Sequence, residues 1–400
     1  MTYDVCIIGA GLIGLGVGHA LVERLPGISL AIVDKEADVA AHQSSHNSGV
    51  VHSGLYYKPG SLKSRLCVEG GRLLEDLCVE ESVSFRRTGK LVIATSPDEI
   101  PALDELERRG RANGLQGLTR VGPAGIREHE PAAVGIDALH VPEAGVADFP
   151  AVARVLRRRL EDRGATVVLG HRVEAIREAI DGVEVAFGGQ QHQARVLINC
   201  AGLQSDRVAA LAGVTSPVRV VPFRGEYYTL GPGPAELIRA LIYPVPDPKF
   251  PFLGVHFSRR IDNSVEVGPN AVLALGREQY RGAGVSWPDL WETLTTSSFW
   301  KLAGRNWKAG AGEVVRSRSR SLYARSARRL VPAIRAEHLL PGGAGVRAQA
   351  LDADGRLVDD FVIEETGRMI HVLNAPSPGA TASLAIGSHI AGLSERLLPR

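Results

Sequence analysis

Three glycines and one aspartate near the start of the chain have the spacing of a dinucleotide-binding site. The glycines lie in Gly9-Ala10-Gly11-Leu12-Ile13-Gly14, directly after an apolar run, and Asp34 ends a second apolar run twenty residues later. In such a βαβ unit the first glycine permits the turn, the second lets backbone approach a pyrophosphate, and the third lets helix and strand pack closely. The pyrophosphate then lies at the positive end of the helix dipole.

Asp34 indicates which dinucleotide the unit binds. An acidic side chain at this position accepts hydrogen bonds from the adenosine ribose hydroxyls, and its charge disfavours a 2′-phosphate. The motif therefore fits FAD or NAD and fits NADP less well. Residues 5–22 are nearly uncharged, but their glycines, His19 and the nearby Asp4 argue against a transmembrane helix.

Apolar periodicity predicts the elements that must position this motif. Helices are expected over 62–78, 97–111, 150–163, 380–398 and, in several pieces, 287–335. Strands are expected over 89–95, 166–169, 194–199, 218–228, 253–257, 265–268, 357–363 and 369–373. The sequence becomes rich in β-formers from residue 217, which indicates a second, antiparallel sheet.

These elements predict an α/β fold with an α+β second domain. A Rossmann-like nucleotide-binding domain is expected from residues 1–85, 145–215 and 340–400. The antiparallel-sheet substrate domain, from 86–144 and 216–339, is inserted between those segments.

Composition excludes several classes of protein. The chain has 46 basic and 44 acidic side chains, so its overall charge gives no indication of nucleic-acid binding. Its four cysteines lack metal-type spacing, so no metal site is expected. They are interpreted as buried, reduced thiols, which favours a reducing, cytoplasmic location.

Five segments resemble the FAD-dependent D-amino-acid-oxidase-like family, and within it the branch that oxidises L-2-hydroxyglutarate. They are His46-Asn47-Ser48-Gly49-Val50-Val51-His52-Ser53-Gly54-Leu55-Tyr56-Tyr57, Pro222-Phe223-Arg224-Gly225-Glu226-Tyr227, Tyr243-Pro244-Val245-Pro246-Asp247-Pro248, Gly268-Pro269-Asn270-Ala271 and Asn374-Ala375-Pro376-Ser377-Pro378. The first also resembles a loop of flavin-dependent glycerol-3-phosphate dehydrogenases. Gly379 departs from the family pattern, where alanine is expected.

The resemblance implies FAD as cofactor and oxidation of L-2-hydroxyglutarate to 2-oxoglutarate. A hydride would pass from C2 to flavin N5, and the electrons then to a quinone or to oxygen. Two alternatives stay open. One is another substrate of the same family, either an amino acid, a sarcosine-type amine or glycerol 3-phosphate. The other is a noncatalytic flavin-binding module.

The resemblance also suggests which side chains meet the substrate. His52 and His256 are candidates for the base or for orienting the substrate, since an imidazole titrates near neutral pH. Arg224 and Arg347 are expected to clamp the carboxylates, because a guanidinium binds a carboxylate bidentately. Hydroxyl contacts are expected from Tyr56, Tyr57 and Tyr243. The alternatives are structural histidines and internal salt bridges.

The expected FAD contacts fall into five groups along the chain. They are Gly9, Gly11, Leu12, Ile13 and Gly14; Asp34 and Lys35; Ser44, Ser45, Asn47, Ser48 and Gly49; Val173, Ala201 and Gly202; and Ser377, Pro378, Gly379, Ala380 and Thr381. The last group precedes a helix, whose dipole would favour the anionic edge of reduced flavin. A simple N-cap and proline turn would produce a similar local pattern.

A cluster of arginines interrupts the otherwise mixed surface charge. Its members are Arg316, Arg318, Arg320, Arg325, Arg328, Arg329 and Arg335. Such a run is typical of a solvated helix face. The alternative is a peripheral contact with anionic lipid on the inner face of the cell membrane, which would suit electron delivery to a quinone.

Overall fold

The computed structural model describes residues 1–247, 254–280 and 284–398 of the 400-residue chain. Pro248 and Leu253, which belong to two predicted segments, lie outside the described residues. The strands are β1 (Thr2–Ile8), β2 (Leu30–Val33), β3 (Val50–Val51), β4 (Phe85–Arg87), β5 (Lys90–Ala94), β6 (Thr119–Val121), β7 (Asp137–Val141), β8 (Gly145–Ala147), β9 (Thr166–Val168), β10 (Val173–Ala179), β11 (Gly182–Phe187), β12 (Gln190–Asn199), β13 (Arg219–Leu230), β14 (Leu241–Pro244), β15 (His256–Arg259), β16 (Val265–Gly268), β17 (Val272–Leu273), β18 (Leu339–Leu351), β19 (Val362–Thr366) and β20 (Met369–Asn374).

Ten α-helices alternate with these strands in the described ranges. They are α1 (Leu12–Arg24), α2 (Leu62–Glu80), α3 (Ile100–Ala112), α4 (Pro123–His129), α5 (Phe149–Asp162), α6 (Ser205–Leu211), α7 (Trp287–Thr295), α8 (Ser297–Arg318), α9 (Arg320–Ala327) and α10 (Ser383–Glu395). Short 3₁₀ turns precede α3 and α6.

The first sheet holds the dinucleotide motif. Its path is β10-β11-β12-β1-β2-β9, and β20 joins it beside β12. Strand β1 is parallel to both β12 and β2, and β12 is parallel to β20. Val5 and Ile7 of β1 face one apolar core, whereas Cys6 and Ile8 face another. A strand buried on both faces has a continuous apolar sequence, which is why residues 5–8 lack the polar alternation of a half-exposed strand.

The second sheet is almost entirely antiparallel. Its order is β17-β13-β16-β15-β14-β5-β7-β6, with β18 also paired to β13. The pair β14 and β5 is its parallel exception. Together the two sheets confirm the predicted α/β class with an antiparallel second part.

Strand β18 is the longest element that the sequence pattern did not indicate. It contains Gly342, Gly343 and Gly345, and such a glycine content lowers β-propensity. Its pairing with β13 runs from Arg219–Leu351 to Leu230–Leu339, so long-range hydrogen bonds form it. The division of the chain into domains stays a prediction. The pairing of β18 with β13 favours a domain boundary after β18 instead of at residue 340.

Two other predicted elements have different limits in the structure. The strand expected from residue 357 begins at Val362, and Leu357 forms only an isolated bridge to Leu351. The final helix begins at Ser383, three residues later than expected, because residues 377–382 form turns beside the site. All four cysteines are buried and unpaired. Within the described ranges, no helix is both long and apolar enough to cross a membrane.

Candidate active site

One large cavity is lined by both sheets. Its volume is about 1330 Å³, and its walls include the start of α1, the loop before β3, and β18. Typical ligand pockets measure roughly 300–1,000 Å³. The cavity therefore has room for a dinucleotide together with a small substrate.

The N-terminus of α1 forms the anion-binding part of this cavity. Gly11, Leu12 and Ile13 line it, and the N-cap residue Gly11 has no side chain of its own to cap the helix. The N–H of Leu12 donates to Ser44 Oγ at 3.0 Å, which fixes the loop against the helix. Because helix N-terminal N–H groups carry partial positive charge, this end of the cavity suits a pyrophosphate.

Gly9 and Gly14 bring α1 close to β1. Gly9 has φ +107°, and a Cβ there would lie 2.5 Å from the carbonyl oxygen of Cys200. A Cβ at Gly14 would collide with the carbonyl oxygen of Gly9. Gly14 does not line the cavity, so its contribution is close packing, as the motif predicts.

Asp34 lies at the ribose position of the motif. Its carboxylate accepts hydrogen bonds from the N–H of Ala10 at 2.6 Å and of Glu36 at 2.9 Å, and it lines the cavity. The carboxylate is therefore held in place without any ligand. This arrangement and the helix N-terminus at Gly11 fit the adenosine diphosphate part of FAD.

Lys35 neutralises the acidic groups beside this position. Its ammonium contacts Glu36, lies 3.0 Å from His42 Nε2 and donates to Glu278 at 3.0 Å. Glu36, His42 and Glu278 are close enough together to hold a metal ion. Because the lysine ammonium already supplies a cation to all three, we assign no metal site to them.

Most predicted contact residues line this cavity. They are Gly9, Gly11, Leu12, Ile13, Asp34, Lys35, Ser44, Asn47, Ser48, His52, Tyr56, Tyr57, Val173, Ala201, Gly202, Tyr243, His256, Arg347, Ser377, Pro378, Gly379, Ala380 and Thr381. Gly14, Ser45, Gly49 and Arg224 are not among the lining residues. Ser45 Oγ donates to the carbonyl of Ala40, and the N–H of Gly49 donates to Asn47, so both shape the loop.

His52 links the early loop to the segment before α10. Its Nε2 lies 3.3 Å from Ser377 Oγ, and its backbone N–H donates to Thr381 Oγ1 at 3.1 Å. Burial lowers the pKa of His52 well below its ordinary value, and the positive charges of Lys90 and Arg347 add to that effect. The imidazole is therefore neutral at pH 7, and its Nδ1 has no hydrogen-bond partner in the part of the chain that the structure describes.

His256 lies on the second sheet, and its tautomer is fixed by a backbone group. Its Nδ1 lies 2.8 Å from the carbonyl oxygen of Gly254, so Nδ1 carries the proton and Nε2 keeps its lone pair. The ring stacks on Tyr243 with 3.9 Å between centroids. Burial lowers the pKa of His256 to about 3. This histidine is also neutral at pH 7.

The two arginines predicted as clamps lie on opposite faces of the paired strands β13 and β18. Arg347 of β18 is opposite Phe223 of β13, and it is exposed into the cavity. Arg224 is opposite Val346 and forms a 3.5 Å ion pair with Glu226. Successive side chains alternate between the faces of a strand, so adjacent register positions separate the two guanidinium groups. The placement supports Arg347 as a clamp and gives no support to Arg224.

Three further polar residues at this end were not predicted from the sequence. Tyr227 lines the cavity and is hydrogen-bonded to Arg347. Lys63 of α2 also lines it and forms a 2.8 Å ion pair with Asp359. Lys90 lies behind two lining tyrosines and is 2% exposed. The one signal in the sequence concerned Lys90, which begins the apolar run 90–94. Lysines are almost never fully buried unless paired, so a lysine in such a run indicates a functional position.

Comparison with known proteins assigns the chain to one family. The model of the family described as FAD dependent oxidoreductase matches residues 4–393. The chain is 45% identical over 391 residues to an L-2-hydroxyglutarate dehydrogenase of Indibacter alkaliphilus, covering 98% of each chain. It is 40% identical over 407 residues to the mitochondrial L-2-hydroxyglutarate dehydrogenase of Homo sapiens, covering 98% of this chain and 88% of the relative.

Solved structures of the same fold belong to differently named oxidases. L-alpha-glycerophosphate oxidase of Mycoplasma pneumoniae, with FAD bound, matches at a TM-score of 0.79 and 21% identity, over 100% of this chain and 95% of the other. Glycine oxidase of Geobacillus kaustophilus matches at a TM-score of 0.74 and 20% identity, over 99% of this chain and 95% of the other. At these identities the likeness establishes the fold alone.

Proposed function

The chain belongs to the FAD-dependent oxidoreductase family, and we propose that it oxidises L-2-hydroxyglutarate to 2-oxoglutarate with FAD as its cofactor. The observation that carries this function is Arg347 in the same cavity end as two neutral histidines, His52 and His256. A cation to hold a carboxylate and a neutral imidazole to accept a hydroxyl proton are what oxidation of a 2-hydroxy acid requires.

Several side chains of this protein have distinct roles in the proposed reaction. Arg347 holds the carboxylate next to the reacting carbon, with its guanidinium oriented by Tyr227. Nε2 of His256 accepts the hydroxyl proton, because Nδ1 is already committed to Gly254. The anionic substrate raises the basicity of this buried imidazole, since a nearby opposite charge favours the protonated form. His52 orients the substrate from beside Ser377. These residues would serve a bound FAD, which would supply the acceptor for the hydride removed from the substrate.

Anaerobic addition of L-2-hydroxyglutarate is expected to bleach the visible flavin band of the purified protein. The D enantiomer should leave the band unchanged, because Arg347 and the base fix which face of C2 meets the flavin. The measurement is an absorption spectrum before and after each addition. Glycine, sarcosine and glycerol 3-phosphate are the controls for other substrates of this fold. Faster bleaching by any of these three controls would overturn the assignment of L-2-hydroxyglutarate. If neither L-2-hydroxyglutarate nor any control bleaches the flavin, a noncatalytic flavin module is favoured.

For the electron acceptor, we propose a membrane quinone that is reached by a peripheral contact with anionic lipid. Beside the arginine cluster, all four tryptophans of the chain are more than half exposed on α7 and α8: Trp287, Trp291, Trp300 and Trp307. Val314 of α8 is exposed seven residues after Trp307, and Lys301 and Arg305 are exposed on the same helix. Tryptophan favours the membrane–water interface, and basic residues favour anionic lipid.

The vesicle test uses phosphatidylcholine with and without phosphatidylglycerol. Binding is expected with phosphatidylglycerol, and the double variant Arg318→Glu/Arg325→Glu should weaken it by at least about tenfold, given roughly 1 kcal/mol per basic residue near the surface. Trp300→Ser/Trp307→Ser should weaken it without changing its salt dependence. Arg177→Glu, on an exposed arginine of β10, is the matched control. Absence of binding, together with rapid reoxidation by oxygen and not by quinone, would contradict the proposal.

A further inference from the structure

Lys90 carries a charge that nothing in the described part of the chain neutralises. It begins β5, it is 2% exposed, and it forms no ion pair with a carboxylate in the described ranges. Its Nζ lies 4.5 Å from the ring centroid of Tyr243 and 5.1 Å from that of Tyr56. Cation–π contacts of this kind offset part of the cost of burying an ammonium group, but they do not replace an anion.

The surroundings of Lys90 place it at the substrate end of the cavity. Both tyrosines line the cavity, and Tyr243 stacks on His256. The hydroxyl of Tyr56 is buried and has no hydrogen-bond partner among the described residues. Buried polar groups are normally satisfied, so an orphaned hydroxyl on a ring that contacts this ammonium indicates a missing anionic ligand.

Other cations at this end already have carboxylate partners. Lys63 is paired with Asp359 at 2.8 Å, and Arg109 with Glu105 at 2.7 Å. Arg224, the second predicted clamp, has Glu226 as its carboxylate partner at 3.5 Å. A substrate with two carboxylates needs a second cation besides Arg347. Lys90 lies directly behind Tyr56 and Tyr243, which line the cavity, and it has no carboxylate partner in the described ranges.

We propose that Lys90, together with the hydroxyl of Tyr56, receives the second carboxylate of the substrate and so selects a dicarboxylate. This inference rests on the proposed function, because it assigns the end of L-2-hydroxyglutarate that does not react. The reacting end is held by Arg347. Lys90 is thus a specificity-determining residue.

The kinetic test compares two substrates that differ only in the second carboxylate. Lys90→Met is expected to lower kcat/KM for L-2-hydroxyglutarate by about 100-fold, as expected when one partner of a buried charge pair is removed. For L-2-hydroxypentanoate, which has the same chain length, the change should stay within about threefold. Lys58→Met, on an exposed loop lysine, is the matched control and should leave both substrates unaffected.

A binding test does not depend on turnover. Glutarate is expected to raise the unfolding midpoint of the wild-type holoenzyme more than pentanoate does, because both can bind Arg347 but only glutarate has the second carboxylate. Lys90→Met should reduce the glutarate shift to that of pentanoate. Without ligand, the same variant is expected to unfold at a higher temperature than the wild type, because an apolar side chain replaces an unpaired buried charge. A merely structural lysine would give the opposite sign.

The pH profile gives a third readout. The titratable groups that face Lys90 are Tyr56, Tyr243, Cys67 of α2, His52 and His256. Burial lowers the pKa of Lys90 to about 8. Burial also raises the pKa of Cys67 to about 12, raises those of both tyrosines and lowers those of both histidines.

Lys90 is therefore the one group of this set that titrates near pH 8, and it loses its charge as the pH rises. The profile of kcat/KM for L-2-hydroxyglutarate should fall above that pH in the wild type but not in Lys90→Met.

The outcomes separate the two proposals. If the wild type oxidises L-2-hydroxyglutarate but Lys90→Met affects both substrates equally, or neither, the inference is wrong while the function stands. If the wild type oxidises neither substrate, the proposed function fails. The inference is then decided by glutarate binding, and equal shifts in wild type and variant would overturn it. Should Lys90→Met not fold, Lys90→Gln takes its place in all three measurements.

Discussion

Replacing Arg347 by methionine is expected to lower kcat/KM for L-2-hydroxyglutarate by about 1,000-fold while FAD stays bound, since removing one partner of a buried charge pair costs roughly 2–5 kcal/mol. The guanidinium faces the cavity beside Tyr227. Arg347→Lys keeps the charge but loses the bidentate geometry, so its loss should be smaller. Steady-state kinetics with L-2-hydroxyglutarate, and the ratio of flavin to protein, measure the two effects separately.

Arg224→Met is the matched control for this experiment. Arg224 lies on the neighbouring strand, but its side chain pairs with Glu226 and does not line the cavity. We expect kcat/KM to change by less than about fivefold, because no contact with the substrate is removed. A large loss in Arg224→Met with little effect in Arg347→Met would show that the other arginine is the clamp.

Gly14→Ala is expected to give protein that binds little or no FAD. The added Cβ would collide with the carbonyl oxygen of Gly9, so α1 would have to move away from β1. Both the N-terminus of α1 and the turn at Gly9 belong to the proposed cofactor site, and a displacement would disrupt them together. Flavin content after purification and the unfolding midpoint of the apoprotein measure the effect.

Gly304→Ala is the control for a glycine in a helix. Gly304 lies on α8, where an added Cβ would meet nothing within 4 Å. The substitution should preserve FAD binding and stabilise the protein by about 0.5–1 kcal/mol, because alanine has less backbone entropy to lose. Normal flavin content in Gly14→Ala would show that close packing of α1 on β1 is not required.

The sequence predicted the dinucleotide site because its parts are local. The three glycines and Asp34 lie within one strand–helix–strand unit, so their spacing along the chain almost determines their spacing in space. The buried strands of the first sheet were predicted for a similar reason. Their apolar runs are continuous because both faces are covered.

The substrate end required tertiary structure, because its residues come from distant segments. His52, His256 and Arg347 lie in three different parts of the chain, and a resemblance to a family could suggest them but not their geometry. The glycine content of β18 also concealed the strand that carries Arg347, since pairing with β13 and not local propensity forms it.

Which arginine faces the cavity was decided by strand register. Arg224 and Arg347 both interrupt apolar stretches, and nothing local distinguishes them. A shift of one residue in register moves a side chain to the opposite face, so only the pairing of Phe223 with Arg347 determines the outcome. Lys90 is a second residue whose environment was decided by the tertiary structure. The sequence determined that a lysine begins a buried strand. The packing of Tyr56 and Tyr243 around it left its charge without a carboxylate partner among the described residues.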